Sequence, residues 1–149
     1  MKAVYLFIVL AVVAGAVLPL QAGLNGKMGR AVGDSVYAAL ISFIIGSVGL
    51  FIYAMITKVD FSQISHTTSL HWSVWVAGLL GAFYVAAVIV LLPKIGAALT
   101  FGLVVTGQLG LSLVLDHFGL LGVSVHEINW QRIAGVLLIV GGVVLIRNF

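Results

Sequence analysis

Cysteine is absent from these 149 residues, which removes disulfides and thiolate chemistry and leaves the redox compartment undetermined. Charge is almost as scarce: seven Lys and Arg and four Asp and Glu make up 7% of the chain. A soluble domain with an ordinary charged surface is excluded. No basic run occurs, so the formal charge of +3 is no electrostatic footprint for nucleic acid. Proline occurs only at Pro19 and Pro93. What the chain does have is apolar: 62% of residues are hydrophobic and the mean hydropathy is +1.28, the composition of an integral membrane protein.

A helix needs roughly 20 apolar residues to cross a bilayer. Residues 4–24, 36–56, 72–92, 95–115 and 130–146 meet that requirement, predicting an all-α, polytopic bundle of five transmembrane helices in a single domain, residues 1–149. Lys2, Lys27, Arg30, Asp34, Lys58, Asp60, Lys94, Asp116, Glu127, Arg132 and Arg147 all fall at the edges of these spans or between them. The connection at Leu92, Pro93 and Lys94 is short, with Pro93 expected in the turn, and it makes the third and fourth spans antiparallel neighbours. Met1, Lys2, an apolar core and the run LQAG resemble a secretory signal. The apolar segment is longer than a signal core and four more spans follow, so it is expected to stay as the first span.

Five spans place the two termini on opposite faces, and the basic residues can then be summed on each. Lys2, Lys58 and Arg132 collect on one face, and Lys27, Arg30, Lys94 and Arg147 on the other. A protein inserted one way carries a clear excess on its cytoplasmic side. The near-balance here is either the noise of a small sample or the mark of dual topology, in which copies insert both ways and pair antiparallel. Many transporters consist of two inverted repeats about an axis in the membrane plane, and a five-span chain inserted both ways supplies such a pair.

Lipid gives little hydrophobic drive between helices, so packing relies on small residues. Ala38, Ser42 and Gly46 repeat at four-residue spacing, as do Gly78, Ala82 and Ala86; Gly135, Gly141 and Gly142 lie in the fifth span. Pro19 deletes the hydrogen bond to the Gly15 carbonyl and is expected to bend the first helix. Gln21 and Asn25 follow, one turn apart, then Gly23, Gly26 and Gly29. They are either interfacial polar groups at a helix end or the wall of a cavity beside a broken helix.

Gln108, Ser112 and Asp116 are spaced by four, so they fall on one stripe of the fourth helix, about 40° apart per step. An amide near mid-span finds no partner in lipid, so the stripe faces other helices or a water-filled cavity. Asp116 and His117 at the helix end are either a polar cap or a proton-sensitive gate. Tyr84, deep in the third span, needs a partner for its hydroxyl, in cargo or in another helix. Trp72, Trp75 and Trp130 sit at span starts, as an interfacial belt requires. His66, His71 and His126 lie in loops or at span ends without ligand spacing; no metal and no cofactor is expected. No nucleophile, base and orienting group recur in a recognisable spacing, which argues against an enzyme.

The runs LPLQAGLNGKMGRAVGDSVYAALISFIIGS, GLLGAFYVAAVIVLLPKIGAA, VVTGQLGLSLVLDHFGLLG and WQRIAGVLLIVGGVVLI together resemble the YdcZ-like family, the five-helix branch of the drug/metabolite transporter superfamily. The resemblance covers nearly the whole chain. It implies a bacterial inner-membrane protein half the size of ten-helix relatives, working as an antiparallel pair. The chain lacks the first-helix glutamate of the small multidrug exporters it resembles, which argues against their simple proton/cation antiport. The expectation is therefore a secondary transporter of small organic metabolites or drugs, acting as an inverted homodimer or with an oppositely oriented paralogue. Gln21, Asn25, Tyr84, Gln108 and Ser112 are its cavity candidates, on the first, third and fourth helices, and Asp116 and His117 its gate candidates. A dual-topology ion channel and a non-transporting assembly subunit are the alternatives.

Overall fold

The computed structural model describes residues 2–149 and is all-helical. Five α-helices carry the membrane-length apolar segments: α1 (Lys2–Val32), α2 (Ser35–Ile56), α3 (Val76–Ile95), α4 (Ala97–Phe118) and α5 (Trp130–Asn148). Two compact units form along the chain, the first ending at Pro93 and the second running Lys94–Phe149.

In the first unit α1 and α2 pack as an antiparallel hairpin. The turn between them is two residues long because Gly33 adopts φ 80°, which other residues reach only with strain, and because Asp34 starts α2 at once. Oδ1 of Asp34 accepts from the N–H groups of Val36 and Tyr37 at 2.6 and 2.9 Å, satisfying two donors that a helix start leaves open. The seam is made of small residues. Ala22, Asn25, Gly26 and Gly29 are the buried positions of α1, and Ala38 and Ala39 those of α2. A Cβ on Gly29 would stand 3.7 Å from that of Ala38, so the backbones approach as closely as the small-residue spacing of α2 requires.

Of the two readings of the Gln21 and Asn25 region, the broken helix does not occur: α1 is one uninterrupted helix of 31 residues, about 46 Å long, with Pro19 inside it. Proline removes one backbone bond, but breaking the helix inside lipid would expose several more with no water to replace them. Staying helical is the smaller loss. The first span consequently extends beyond residue 24, and Lys27 and Arg30 lie on its last turns.

Between α2 and α3 lie 3-10 helical segments, Phe61–Ser69 and Trp72–Trp75, so the third span begins with a tight turn and becomes α-helical only at Val76. Pro93 lies within α3, not in a turn as its chemistry suggested. Its missing N–H costs one bond in the final turns, and the chain reverses instead at Gly96, where φ is 79°. Val88 and Ile89 are the buried residues of α3.

In the second unit α4 and α5 pack against each other. The glycines expected to serve that contact, Gly135, Gly141 and Gly142, have nothing within 4 Å of a would-be Cβ. The close approach is made by Gly102 of α4 against Val143, the buried residue of α5. Gly119, in the left-handed region at φ 60°, ends α4, and Asn129 starts α5 by accepting the Arg132 N–H at 2.9 Å.

Candidate functional site

Three of the residues singled out from sequence meet in the first unit. Gln21 and Asn25 lie one turn apart on α1, and Tyr84 lies on α3; all three line one cavity, closed by Ala22, Val88 and Ile89. It holds about 10 Å³, near the room one water molecule needs. Asn25 is 5% exposed, and its Nδ2 is fully buried without a hydrogen-bond partner. A buried amide donor left unpaired costs about 1–3 kcal/mol, so a position that keeps one is a candidate for binding something.

The same two α1 side chains line a larger groove between α1 and α2. Gln21, Asn25 and Ser42 are its polar groups; Leu20, Leu24 and Ile45 are among its apolar ones, and its volume is about 310 Å³. An adjoining groove of about 210 Å³ holds Gln21, Ser42 and Ser47. Gln21 therefore borders all three spaces. The hydroxyl of Ser47 donates to the Phe43 carbonyl at 2.8 Å, within its own helix. The site contribution of Ser42 was hidden in the sequence, where it reads as one small member of a packing stripe. The signal was its hydroxyl, placed between Ala38 and Gly46 on the face turned toward α1.

Gln108 and Ser112 lie on α4 in the second unit, both exposed. Thr100 and Thr106 of the same helix return their hydroxyls to the carbonyls of Gly96 and Gly102, at 2.6 and 2.9 Å.

Asp116 and His117 are built into the α4–α5 connection. Oδ2 of Asp116 accepts from Nη2 of Arg132. Nη1 of Arg132 donates to the His126 carbonyl at 2.6 Å, the His126 N–H donates to the Asp116 carbonyl at 2.9 Å, and the Ile128 N–H donates to Nδ1 of His117 at 3.2 Å. Sequence reasoning missed Arg132 as the partner of Asp116. The clue was available, since the two are opposite charges at either end of one loop, on the same face of the membrane. His71 caps the turn Trp72–Trp75, with Nδ1 2.9 Å from the Ser73 hydroxyl, and Nδ1 of His126 donates to the Ser124 carbonyl at 3.0 Å. The side chain of His66 lies outside the described residues.

A family model described as "Putative inner membrane exporter, YdcZ" matches residues 6–145. The chain belongs to this YdcZ family. It is 29% identical over 138 residues to the protein named inner membrane protein YdcZ of Escherichia coli strain K12, covering 92% of each chain. No solved structure matches it. Membership of the YdcZ family and five membrane-length helices make this a multi-pass inner-membrane protein. The match runs through α1 to α5, so it includes Gln21, Asn25, Ser42 and Tyr84 as well as the Asp116–Arg132 connection.

Proposed function

We propose that this chain is a secondary transporter of small organic metabolites or drugs, of the drug/metabolite transporter type, acting as an inverted dimer with alternating access. The observation that carries the reading is the unpartnered, buried amide of Asn25 beside Gln21 and Tyr84, within spans otherwise almost wholly apolar. Polar groups inside a membrane are costly, and a cluster of them beside open space is the usual wall of a substrate path. The exporter description of the family supports the same function. The near-balance of basic residues, three against four, supports insertion in both orientations, with an identical copy or an oppositely oriented paralogue as partner. Gln108 and Ser112, exposed on a membrane-length helix, face a water-filled chamber in that dimer.

Reporter fusions at Met1 and Phe149 test the architecture: each terminus is expected to signal from both sides of the membrane, and strict one-sidedness of both would rule out the homodimer. Solute counterflow in proteoliposomes tests the activity. Saturable exchange is expected. Unsaturated conduction of thousands of ions per second would make the protein a channel, and activity that needs a co-reconstituted paralogue and is unchanged by substitution of Gln21, Asn25 and Tyr84 in this chain would make it an assembly subunit.

A further inference from the structure

The groove between α1 and α2 has a chemical character that narrows the cargo. Its polar groups are two amides and a hydroxyl, from Gln21, Asn25 and Ser42, and neither it nor the two spaces that share Gln21 with it is lined by Asp, Glu, Lys, Arg or His; Arg30 and Asp34 line a separate space toward the α1–α2 turn. An ion brought into such a place leaves its hydration shell and finds no counter-charge in the lining, so the groove suits an uncharged ligand better than a permanent cation or anion. Asn25 contributes an amide, donor and acceptor both, and its complement is a neutral polar group. The water-sized cavity beside Tyr84 cannot hold a solute, but the 310 Å³ groove is in the range of small-molecule sites, and Asn25 lines both.

We infer that this groove binds an uncharged organic molecule whose polar group hydrogen-bonds to the Asn25 amide, with its apolar part against Leu20, Leu24 and Ile45. The inference rests on the transport reading above and specifies its substrate class. A site that hydrogen-bonds its ligand discriminates sharply against an analogue lacking the group, because the site's own polar atom is then left unpaired. One such bond corresponds to about tenfold in affinity or more.

The test uses the purified full chain with matched probes of one shape: benzamide, benzamidine and benzoate, and the same three head groups on a cyclohexyl ring. The chain has three asparagines, Asn25, Asn129 and Asn148, so selective ¹⁵N-asparagine labelling leaves few side-chain amide signals, and Asn25→Leu identifies that of Asn25. The neutral amides are expected to shift the Asn25 signal saturably and to bind at least about tenfold tighter than the charged members. Asn25→Asp, nearly the same shape, is expected to reverse the order toward amidinium, which keeps the test usable if Asn25→Leu misfolds. Equal binding of the amidinium to the unaltered protein, or no shift of the Asn25 signal with either neutral probe, overturns the inference. Protection of Asn25 from every probe in the dimer, relieved on dissociation, overturns it too and assigns the groove to a second copy. Counterflow separates this outcome from the broader reading: transport that survives in Asn25→Asp with unchanged charge preference leaves a carrier whose site is elsewhere. Probe binding at Asn25 with no counterflow leaves the site standing and removes the carrier.

Discussion

Val143 of α5 places its Cγ2 2.8 Å from the point where a Cβ on Gly102 of α4 would stand. Real Cβ atoms do not tolerate that distance, and the obstacle is a β-branched side chain held in one rotamer by its helix. Gly102→Ala is therefore expected to force the α4–α5 pair apart and to destabilise the protein by about 1–3 kcal/mol. Gly141→Ala and Gly142→Ala, where a Cβ meets nothing, are expected to be nearly neutral. Unfolding in mixed micelles measures all three, and Val143→Ala in the Gly102→Ala background is expected to restore most of the loss. Failure of that rescue would show that the cost lies elsewhere than in this contact.

Asp116 and Arg132 join the same two helices at their loop end. The Arg132 side chain is 30% exposed and that of Asp116 28%, so their pairing is partly screened and its coupling in a double-mutant cycle is expected not to exceed about 1 kcal/mol. Losing Arg132 also frees the His126 carbonyl. Arg132→Gln is accordingly expected to speed hydrogen exchange at His126 and Ile128 more than Asp116→Asn does. Equal effects would reduce the connection to the ion pair alone.

Asp34 gives the α1–α2 turn its sharpness, with one carboxylate oxygen on two backbone N–H groups. Asp34→Ala is expected to cost about 1 kcal/mol and Asp34→Asn much less, since the amide keeps an accepting oxygen. Thermal unfolding orders the three proteins. A cost for Asp34→Asn as large as for Asp34→Ala would mean that the charge, not the cap, matters.

The existence of all five helices was legible because apolar length alone decides what crosses a bilayer, and the starts of α2 and α5 lie within one residue of the expected positions. Pro93 was expected in a turn, and a break after Pro19 was one of two readings; neither occurs, for one reason. Rules for proline come from water, where a broken helix can solvate its ends, whereas in lipid Pro19 and Pro93 stay inside α1 and α3. Gln21, Asn25 and Tyr84 were found from their polarity in apolar runs, and their convergence on one cavity is a tertiary fact that spacing within one helix does not encode. The Gly102–Val143 contact was missed because five glycines compete for the role in α4 and α5 beside it, and composition cannot say which of them faces a neighbour. Asp116 was recognised as a helix-end acid, but its partner sits sixteen residues on, across a loop whose path no periodicity predicts.

Gln108 lies midway along α4 with its side chain exposed, and the two roles open to it differ in magnitude. As a contact between helices it contributes about 0.6 kcal/mol, the average for a hydrogen bond in a membrane protein, or roughly threefold in a dimerisation constant. As a group in a wet chamber that holds cargo in passage it is worth about tenfold or more in transport and nothing in assembly. Gln108→Leu is expected to lower counterflow by about that factor while the dimer, measured by cross-linking in liposomes, stays intact. Gln108→Asn, which keeps the amide on a shorter stem, is expected to fall between. A Gln108→Leu protein that exchanges solute at the normal rate but dimerises a few-fold more weakly would place this glutamine in a dry contact and remove α4 from the substrate path.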